Sequence, residues 1–218
     1  AKALDATGMY VAEANTPQYI YLDEDYGQEI YVRVVNYATD DGSWAQSHKH
    51  HDYDYRLQKG RNVIYPKNTG LMYMQIYSDD FENIPEMKAH FINSSVNGFL
   101  KRGVHKAEDV HRVFGLATAK EQPYFDVVTN RTLINYTKDM FYRNTFQNNV
   151  GANADRMMDL MMIYDTIVEI QEEAQGLPKY RAMGLPRAHH NRIPFLGLDF
   201  TDKNGYSAWY YIGMSPRN

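Results

Sequence analysis

The chain has 218 residues, a formal net charge of -4 at pH 7 and no cysteine, which excludes disulfides, thiolate metal sites and cysteine nucleophiles. A hydrophobic content of 44% is ample for a buried core. The acidic balance and the lack of long basic runs argue against nucleic acid or an anionic membrane as a partner, and no apolar run approaches the roughly 18 residues that a transmembrane helix needs.

Short runs of β-forming residues, broken by turn residues, fill the chain from residue 7 to residue 92. They predict strands at residues 8–12, 19–22, 29–35, 53–58, 61–65, 71–77 and 87–92. Strands at this spacing are typical of an antiparallel β-sandwich, and the 19 tyrosines suit half-buried sheet surfaces. The stretch Gln58-Lys59-Gly60-Arg61 predicts a tight hairpin with Gly60 at positive φ.

The pattern changes at residues 93–103, which are rich in asparagine, serine and glycine. This composition predicts a connection between two subdomains. Beyond it, the spacing of apolar residues predicts a short helix at residues 107–117 and strands at residues 124–128 and 133–136.

Residues 153–176 have the clearest periodicity in the chain. Apolar side chains recur there at helical spacing, at Met157, Leu160, Met161, Tyr164, Ile167 and Val168. Acidic residues mostly fall between them, which predicts an amphipathic helix about 33 Å long. Asn153 is the predicted cap of its first turn, and Gly176 is its predicted end.

The remaining residues predict a surface loop at 177–192 and two aromatic strands at 193–200 and 206–212, joined by an Asn-Gly turn. The whole pattern predicts an α+β fold with two domains. Residues 1–98 form an amino-terminal antiparallel β-sandwich. Residues 99–218 form a mixed α+β subdomain with one long amphipathic helix and a carboxy-terminal β-hairpin.

The order of several short stretches is more informative than any single motif. In the first half these are ATGMYV at 6–11, EIYV at 29–32, LQKGRN at 57–62 and TGLMYM at 69–74. In the second half they are QPYF at 122–125, TLI at 132–134, the helix at 156–173, NRI at 191–193 and the run at 205–213. In this order they resemble the amino-terminal portion of the enhancin-like, mucin-degrading gluzincin zinc metallopeptidases, the M-sixty type.

This resemblance implies a secreted or cell-surface bacterial enzyme whose substrates are mucin-type glycoproteins. The chemistry of such enzymes needs a His-Glu-x-x-His helix, in which two histidines one turn apart hold zinc and the glutamate activates its water. The chain has no such motif. We therefore expect an amino-terminal portion without the catalytic subdomain, inactive by itself, with no catalytic or metal-ligating residue and no cofactor of its own, whereas zinc belongs to the longer parent. Residues 1–8 lack signal-peptide features, so the chain as given is expected to be mature or cut from a longer protein.

Two binding regions are implied as well. In gluzincins an edge strand pairs with the extended substrate, and the corresponding residues here are Tyr206, Trp209, Tyr210 and Tyr211. A core hairpin packed on the long helix is the alternative for these side chains. The sandwich of the family is associated with glycan or host-surface recognition, and the candidate platform residues are Trp44, Tyr53 and Tyr55, although structural roles suit such aromatics equally.

Other polar clusters carry weaker signals. His48, His50, His51 and Asp52 could meet a metal or lie in an exposed loop, and the adjacent His189 and His190 rarely converge on one ion. The Asp23-Glu24-Asp25 run could suit calcium, but it lacks the alternating spacing of a binding loop, so a solvated turn is the favoured interpretation.

Two functions of different classes remain open from the sequence. The first is the substrate-side portion of a glycoprotein-cleaving metallopeptidase, whose partners are glycoproteins or glycans. The second is a stand-alone module that binds carbohydrate or glycoprotein in adhesion. A third possibility, a structural or assembly module, is compatible with the same composition.

Overall fold

The computed structural model describes residues 2–36, 53–78, 83–117, 124–137, 150–174 and 176. In chain order, the strands are β1 (Lys2–Val11), β2 (Gln18–Leu22), β3 (Glu29–Val35), β4 (Tyr53–Leu57), β5 (Gly60–Ile64), β6 (Gly70–Tyr77), β7 (Ala89–Ile92), β8 (Ser95–Val96), β9 (Phe99–Lys101), β10 (Tyr124–Val128) and β11 (Leu133–Thr137). The helices are α1 (Ala107–Ala117) and α2 (Val150–Ala174). Most strand pairs are antiparallel, and the fold is α+β, as predicted.

The chain divides into two compact units. The first comprises Ala1–Gly98 and Leu116–Phe125, and the second comprises Phe99–Gly115 and Asp126–Asn218. This division concerns packing alone. The roles predicted for residues 1–98 and 99–218 stay predictions.

Two antiparallel sheets make up the described part of the first unit. Sheet A has the strand order β4-β3-β6-β1-β8, and sheet B has the order β5-β2-β7. Burial alternates along β2 and β3, because successive side chains of a strand point to opposite faces, whereas β6 is buried on both faces from Gly70 to Tyr73. In β3, for example, Ile30, Val32 and Val34 are buried, whereas Tyr31 and Arg33 between them are half-exposed.

One hydrophobic cluster draws its side chains from both sheets. It consists of Val11, Ile20, Leu22, Ile30, Val32, Val34, Leu57, Ile64 and Met72. Fully burying a side chain of this size stabilises a fold by about 1.5–3 kcal/mol. The cluster is therefore what holds sheet A and sheet B together.

The predicted hairpin at residues 58–61 is wrong. β4 pairs with β3 in sheet A, whereas β5 pairs with β2 in sheet B, so the chain passes from one sheet to the other here. The sharp turn itself exists, with Gly60 at φ 90°. The side chain of Asn62 bonds to the backbone N–H and C=O of Gln58, at 2.9 and 2.7 Å, and so satisfies groups that a hairpin partner would otherwise take.

Gly70 lies too close to the backbone of β3 to carry a side chain. It begins β6 at φ 148°, and a Cβ atom added there would lie 2.1 Å from the carbonyl oxygen of Val35. No side chain fits at that distance. Glycine is required here by the neighbouring strand β3 and not only by the local turn.

The second unit contains sheet C, with the strand order β11-β10-β9. β9 and β10 are parallel, and α1 lies between them in the chain, as a parallel pair requires a crossover. Asp109 accepts a hydrogen bond from the N–H of Lys106 at 2.8 Å, which caps the first turn of α1. The sequence predicted α1 and both later strands, but β8 and β9 fall in residues predicted to be a connection.

The long helix α2 begins at Val150, so Asn153 lies inside it and the predicted cap is wrong. Helical backbone already precedes Asn153, and a capping side chain is a local signal that does not exclude an earlier start. The predicted end is confirmed: Gly176 has φ 71°, and its N–H donates to the carbonyl of Glu173 at 2.9 Å.

The most buried face of α2 carries Ala154, Met157, Met161 and Asp165. Leu160, Tyr164, Ile167 and Val168 are half-buried, which agrees with the predicted apolar stripe. Ile163 and Ile170, by contrast, are exposed. Within the described residues, no helix combines the length and apolar character needed to cross a membrane.

Candidate functional site

Most of the predicted site residues lie outside the described residues. They are Trp44, Tyr206, Trp209, Tyr210 and Tyr211, together with both histidine clusters and the predicted carboxy-terminal hairpin. Their assigned roles stay predictions.

Tyr53 and Tyr55 on β4 are the two predicted platform residues that the structure describes. Tyr55 packs against the hydrophobic cluster, and its hydroxyl oxygen accepts a hydrogen bond from the N–H of Lys67 at 2.9 Å. The ammonium of Lys67 lies 5.0 Å from the centre of the Tyr53 ring. Both rings therefore have a structural contact, and sugar binding by them stays a prediction.

The Asp23-Glu24-Asp25 turn is held together by its own protein partners. Asp23 accepts hydrogen bonds from the N–H groups of Glu24 and Lys88, at 2.8 and 2.7 Å. Asp25 accepts from Gly27 at 2.9 Å, and Glu24 pairs with the ammonium of Lys59. The carboxylates join three connections of the first unit and leave the calcium alternative without support.

The face of sheet A that points away from the hydrophobic cluster carries a polar network, and at β6 this face is buried, with Gln75 at 0% exposure. Arg33 on β3 forms a two-pronged ion pair with Asp54 on β4, at 2.7 and 2.8 Å. Gln75 on β6 donates to Asp54 at 3.1 Å and accepts from the Tyr77 hydroxyl at 3.2 Å. The ring of Tyr77 also meets Tyr31 edge to face at 5.5 Å. These groups bind each other across three strands.

Asp165 forms a dense polar centre among the described residues of the second unit. One of its carboxylate oxygens accepts hydrogen bonds from Thr129 Oγ1 at 2.5 Å and from Arg131 N at 2.9 Å. The other accepts from Asn130 N at 3.2 Å and pairs with the guanidinium of Arg102. A helix carboxylate thus holds the turn between β10 and β11 and the end of β9.

Burial by itself would raise the pKa of Asp165, whose exposed fraction is only 6%. The hydrogen bonds from Thr129, from Arg102 and from two backbone amides outweigh that effect and hold the pKa below its ordinary value. An ionised carboxylate with both oxygens engaged is suited to fix a turn. It is poorly suited to carry a proton in catalysis.

Sequence reasoning missed Asp165. The residue occupies the position at which the spacing of Ala154, Met157 and Met161 continues, so an apolar side chain would be expected there. The available signal was the acid itself, placed within the apolar stripe, together with a Thr-Asn-Arg-Thr turn between two short strands. The contact between the acid and this turn depends on the tertiary structure, which the periodicity of the sequence does not reveal.

A zinc ion does not fit the residues at hand. The sequence has no His-Glu-x-x-His, and within the described ranges no three His, Asp or Glu side chains converge as metal ligands. No catalytic step is therefore derived from this part of the chain.

Comparison with solved structures identifies relatives in fold. A metallopeptidase from Bacteroides thetaiotaomicron superposes on 84% of this chain and 29% of its own, with a TM-score of 0.65 and 18% identity. A metallopeptidase in complex with Tn antigen superposes on 88% of this chain and 33% of its own, with a TM-score of 0.65 and 18% identity. A third structure is the M60 catalytic domain of Clostridium perfringens ZmpC in complex with the sialyl T antigen. It superposes on 78% of this chain and 35% of its own, with a TM-score of 0.56 and 15% identity.

These likenesses define a shared fold. The chain spans 29%, 33% and 35% of the lengths of the three structures, or about a third. Neither the family models nor the curated proteins contain a match to this chain. The chain therefore shares its fold with about a third of each of these structures, and activity, substrate and partners are matters for proposal.

Proposed function

We propose that this chain is the amino-terminal, substrate-side portion of a secreted or cell-surface bacterial zinc metallopeptidase that acts on mucin-type glycoproteins. One observation carries the proposal. Two metallopeptidase structures each superpose on more than four-fifths of the chain, at 84% and 88%, with TM-scores of 0.65. The order of short sequence stretches points independently to the enhancin-like family.

The two predicted domains divide the work in this proposal. Residues 1–98 are a β-sandwich that contacts glycan or the surrounding glycoprotein, with Trp44, Tyr53 and Tyr55 as candidate contacts. Residues 99–218 are the first subdomain of the peptidase. The strand that carries Tyr206, Trp209, Tyr210 and Tyr211 would pair with the extended polypeptide through its backbone groups.

Glycoprotein recognition is supported by two of these fold relatives, whose structures are complexes with Tn antigen and with the sialyl T antigen. The Asp165 centre contributes rigidity, because it fixes the β10–β11 turn against α2 at one end of sheet C. A rigid first subdomain is what an edge strand needs in order to hold a substrate in register.

Zinc belongs, in this proposal, to a downstream part of the parent that supplies His-Glu-x-x-His. Its chemistry there would be activation of a water for peptide hydrolysis. The chain described here would bind and orient the substrate and would not cleave it.

Mass spectrometry tests the division between binding and cleavage. The chain alone and a version extended by the downstream coding sequence are each incubated with an O-glycosylated mucin-type peptide and zinc. We expect cleavage only by the extended protein, and loss of that cleavage when the motif glutamate is replaced by glutamine. A stop codon directly after Asn218, or chelator-sensitive cleavage by the chain alone, would contradict the proposal.

A further inference from the structure

The outward face of sheet B is an open aromatic surface. Ile20 and Leu22 of β2 point into the hydrophobic cluster, so Tyr19 and Tyr21 between them point away from it. In the antiparallel register, Tyr19 lies between Val63 and Ile92, and Tyr21 lies between Arg61 and His90. We call the six side chains the sheet B face: Tyr19, Tyr21, Arg61, Val63, His90 and Ile92.

These side chains contact each other and are nonetheless accessible. Tyr21 is 50% exposed and Ile92 is 60% exposed. The guanidinium carbon of Arg61 lies 5.6 Å from the centre of the Tyr19 ring, and the rings of Tyr21 and His90 are 6.4 Å apart. Pleated strands on a packed core hold the aromatic rings in place, so little ordering is required when a ligand binds.

The charge of this face has one sign. No outward position on β2, β5 or β7 is acidic, and among the described residues no carboxylate pairs with Arg61. Glu24, in the turn after β2, is engaged with Lys59. Arg61 therefore presents a guanidinium whose planar donors match a carboxylate.

The size of the face argues for a small ligand. Its strands have five, five and four residues, which gives a surface of about 15 by 17 Å, on the order of 250 Å2. A stable protein partner or a second copy of the chain covers about 800 Å2 on each side. The sheet B face is well below that area, whereas one or two sugar rings would cover it.

We propose that the sheet B face binds a glycan that ends in an acidic, N-acetylated sugar, the chemistry of sialic acid. The apolar face of the sugar ring stacks on Tyr21, and its carboxylate pairs with Arg61. The methyl group of its N-acetyl substituent lies against the apolar row of Val63, Tyr19 and Ile92. This site goes beyond the proposed peptidase role, because it requires neither zinc nor cleavage.

Nuclear magnetic resonance titration of the whole chain tests the site with 3′-sialyllactose, with lactose and with a disaccharide that ends in glucuronic acid. We expect saturable shifts of the Tyr19, Tyr21 and Arg61 amides with 3′-sialyllactose only. Equal binding of the glucuronic acid probe would overturn the N-acetyl recognition, and equal binding of lactose would overturn the carboxylate recognition. Shifts elsewhere, no shifts, or concentration-dependent dimerisation through this face would overturn the site itself.

Three variants complete the test. Tyr21→Thr keeps a residue that favours strands, and Arg61→Gln keeps length and polarity without charge, so both are expected to fold. Each is expected to weaken 3′-sialyllactose binding by about tenfold or more, the loss that follows removal of a stacking ring or a charge-assisted pair. Tyr26→Ala, at an exposed tyrosine of the β2–β3 turn, is the matched control and should leave the affinity unchanged. Wild-type affinity in folded Arg61→Gln would contradict the proposal regardless of any peptidase activity.

Discussion

The faces of sheet A and sheet B that point away from the hydrophobic cluster share residue types but differ in the contacts that their side chains make. Each places tyrosines and an arginine on neighbouring strands. On sheet A, Arg33 meets Asp54, and Gln75 extends the contact to Tyr77. On sheet B, Arg61 lies over the Tyr19 ring and pairs with no carboxylate of the described residues. The two faces therefore differ in two ways: the sheet A face has an acid that pairs with its arginine and is fully buried at Gln75, whereas the sheet B face has no acidic position on its strands and leaves Tyr21 and Ile92 exposed.

The largest expected loss of stability comes from a substitution at Gly70, the first residue of β6 in sheet A. Gly60, the first residue of β5 in sheet B, provides the comparison. Gly70→Ala in sheet A drives a Cβ into the carbonyl of Val35, so the free energy of unfolding should fall by about 4 kcal/mol or more. Gly60→Ala in sheet B is the control, with positive φ but nothing within 4 Å of its Cβ. It should lose only about 1–2 kcal/mol in urea denaturation. Equal losses would mean that the close approach in sheet A is absent.

The next largest loss of stability is expected at Asp165, whose carboxylate has protein partners on both oxygens. Asp165→Asn removes the charge that Arg102 and two backbone amides face, and should lower the free energy of unfolding by about 3 kcal/mol. Asp159→Asn is the control, because Asp159 is exposed on the same helix. It should change stability by less than about 0.5 kcal/mol. An effect of Asp165→Asn as small as that of the control would refute the clamp between α2 and the β10–β11 turn.

Acid should erase the difference between the wild type and Asp165→Asn. The folded-state pKa of Asp165 lies below the ordinary carboxyl value of 3.8. Its contribution is therefore complete above that value and is lost as the pH falls through the lower folded-state pKa. Denaturation curves at pH 7 and near pH 3 should show the stability gap narrowing at the acid end. A stability difference that widens toward acid pH would contradict the prediction that ionised Asp165 stabilises the fold.

The ion pair on sheet A is expected to have a modest effect. Because Arg33 and Asp54 are partly exposed, a double-mutant cycle with alanine at both positions should give a coupling energy of about 1 kcal/mol. The measurement is thermal or urea unfolding of the two single variants and the double variant. A coupling energy of zero would mean that the Arg33–Asp54 pair does not stabilise sheet A, so that this arginine would be no more engaged than Arg61 on sheet B.

The smallest effect is expected on sheet B. Arg61→Gln breaks no ion pair within the described residues, so its free energy of unfolding should stay within about 0.5 kcal/mol of the wild type. The same urea series measures it alongside Arg33→Ala. A loss larger than that of Arg33→Ala would show that Arg61 already has a partner inside the protein.

The sequence predicts this fold where the signal is local. Alternation along β3 and the period of α2 follow directly from burial, so their bounds agree closely with the predicted ones. The bounds of β6 also agree, although its residues from Gly70 to Tyr73 are buried on both faces. The turn at Gly60 is also local, but the pairing of β4 and β5 with different sheets is not. Two short strands around a sharp turn look alike whether they pair with each other or with distant strands.

The candidate sites were harder to predict for the same reason. Asp165 becomes informative only when the turn containing Thr129 is brought against α2, and no spacing rule connects these residues. Tyr19 and Tyr21 fit the general expectation of half-buried sheet surface. The exposure of Tyr21, and the lack of an acid opposite Arg61, emerge only from the register of three strands.

Calorimetric titration tests the central proposal most directly. The chain is titrated with an O-glycosylated mucin-type peptide and, separately, with the same peptide without sugar, and both peptides are weighed afterwards by mass spectrometry. A substrate-side portion of a glycoprotein-directed metallopeptidase should bind the glycosylated peptide about tenfold more tightly or better, a difference of about 1.4 kcal/mol, and leave it intact. Equal affinity for the two peptides, or no binding of either, would contradict that function.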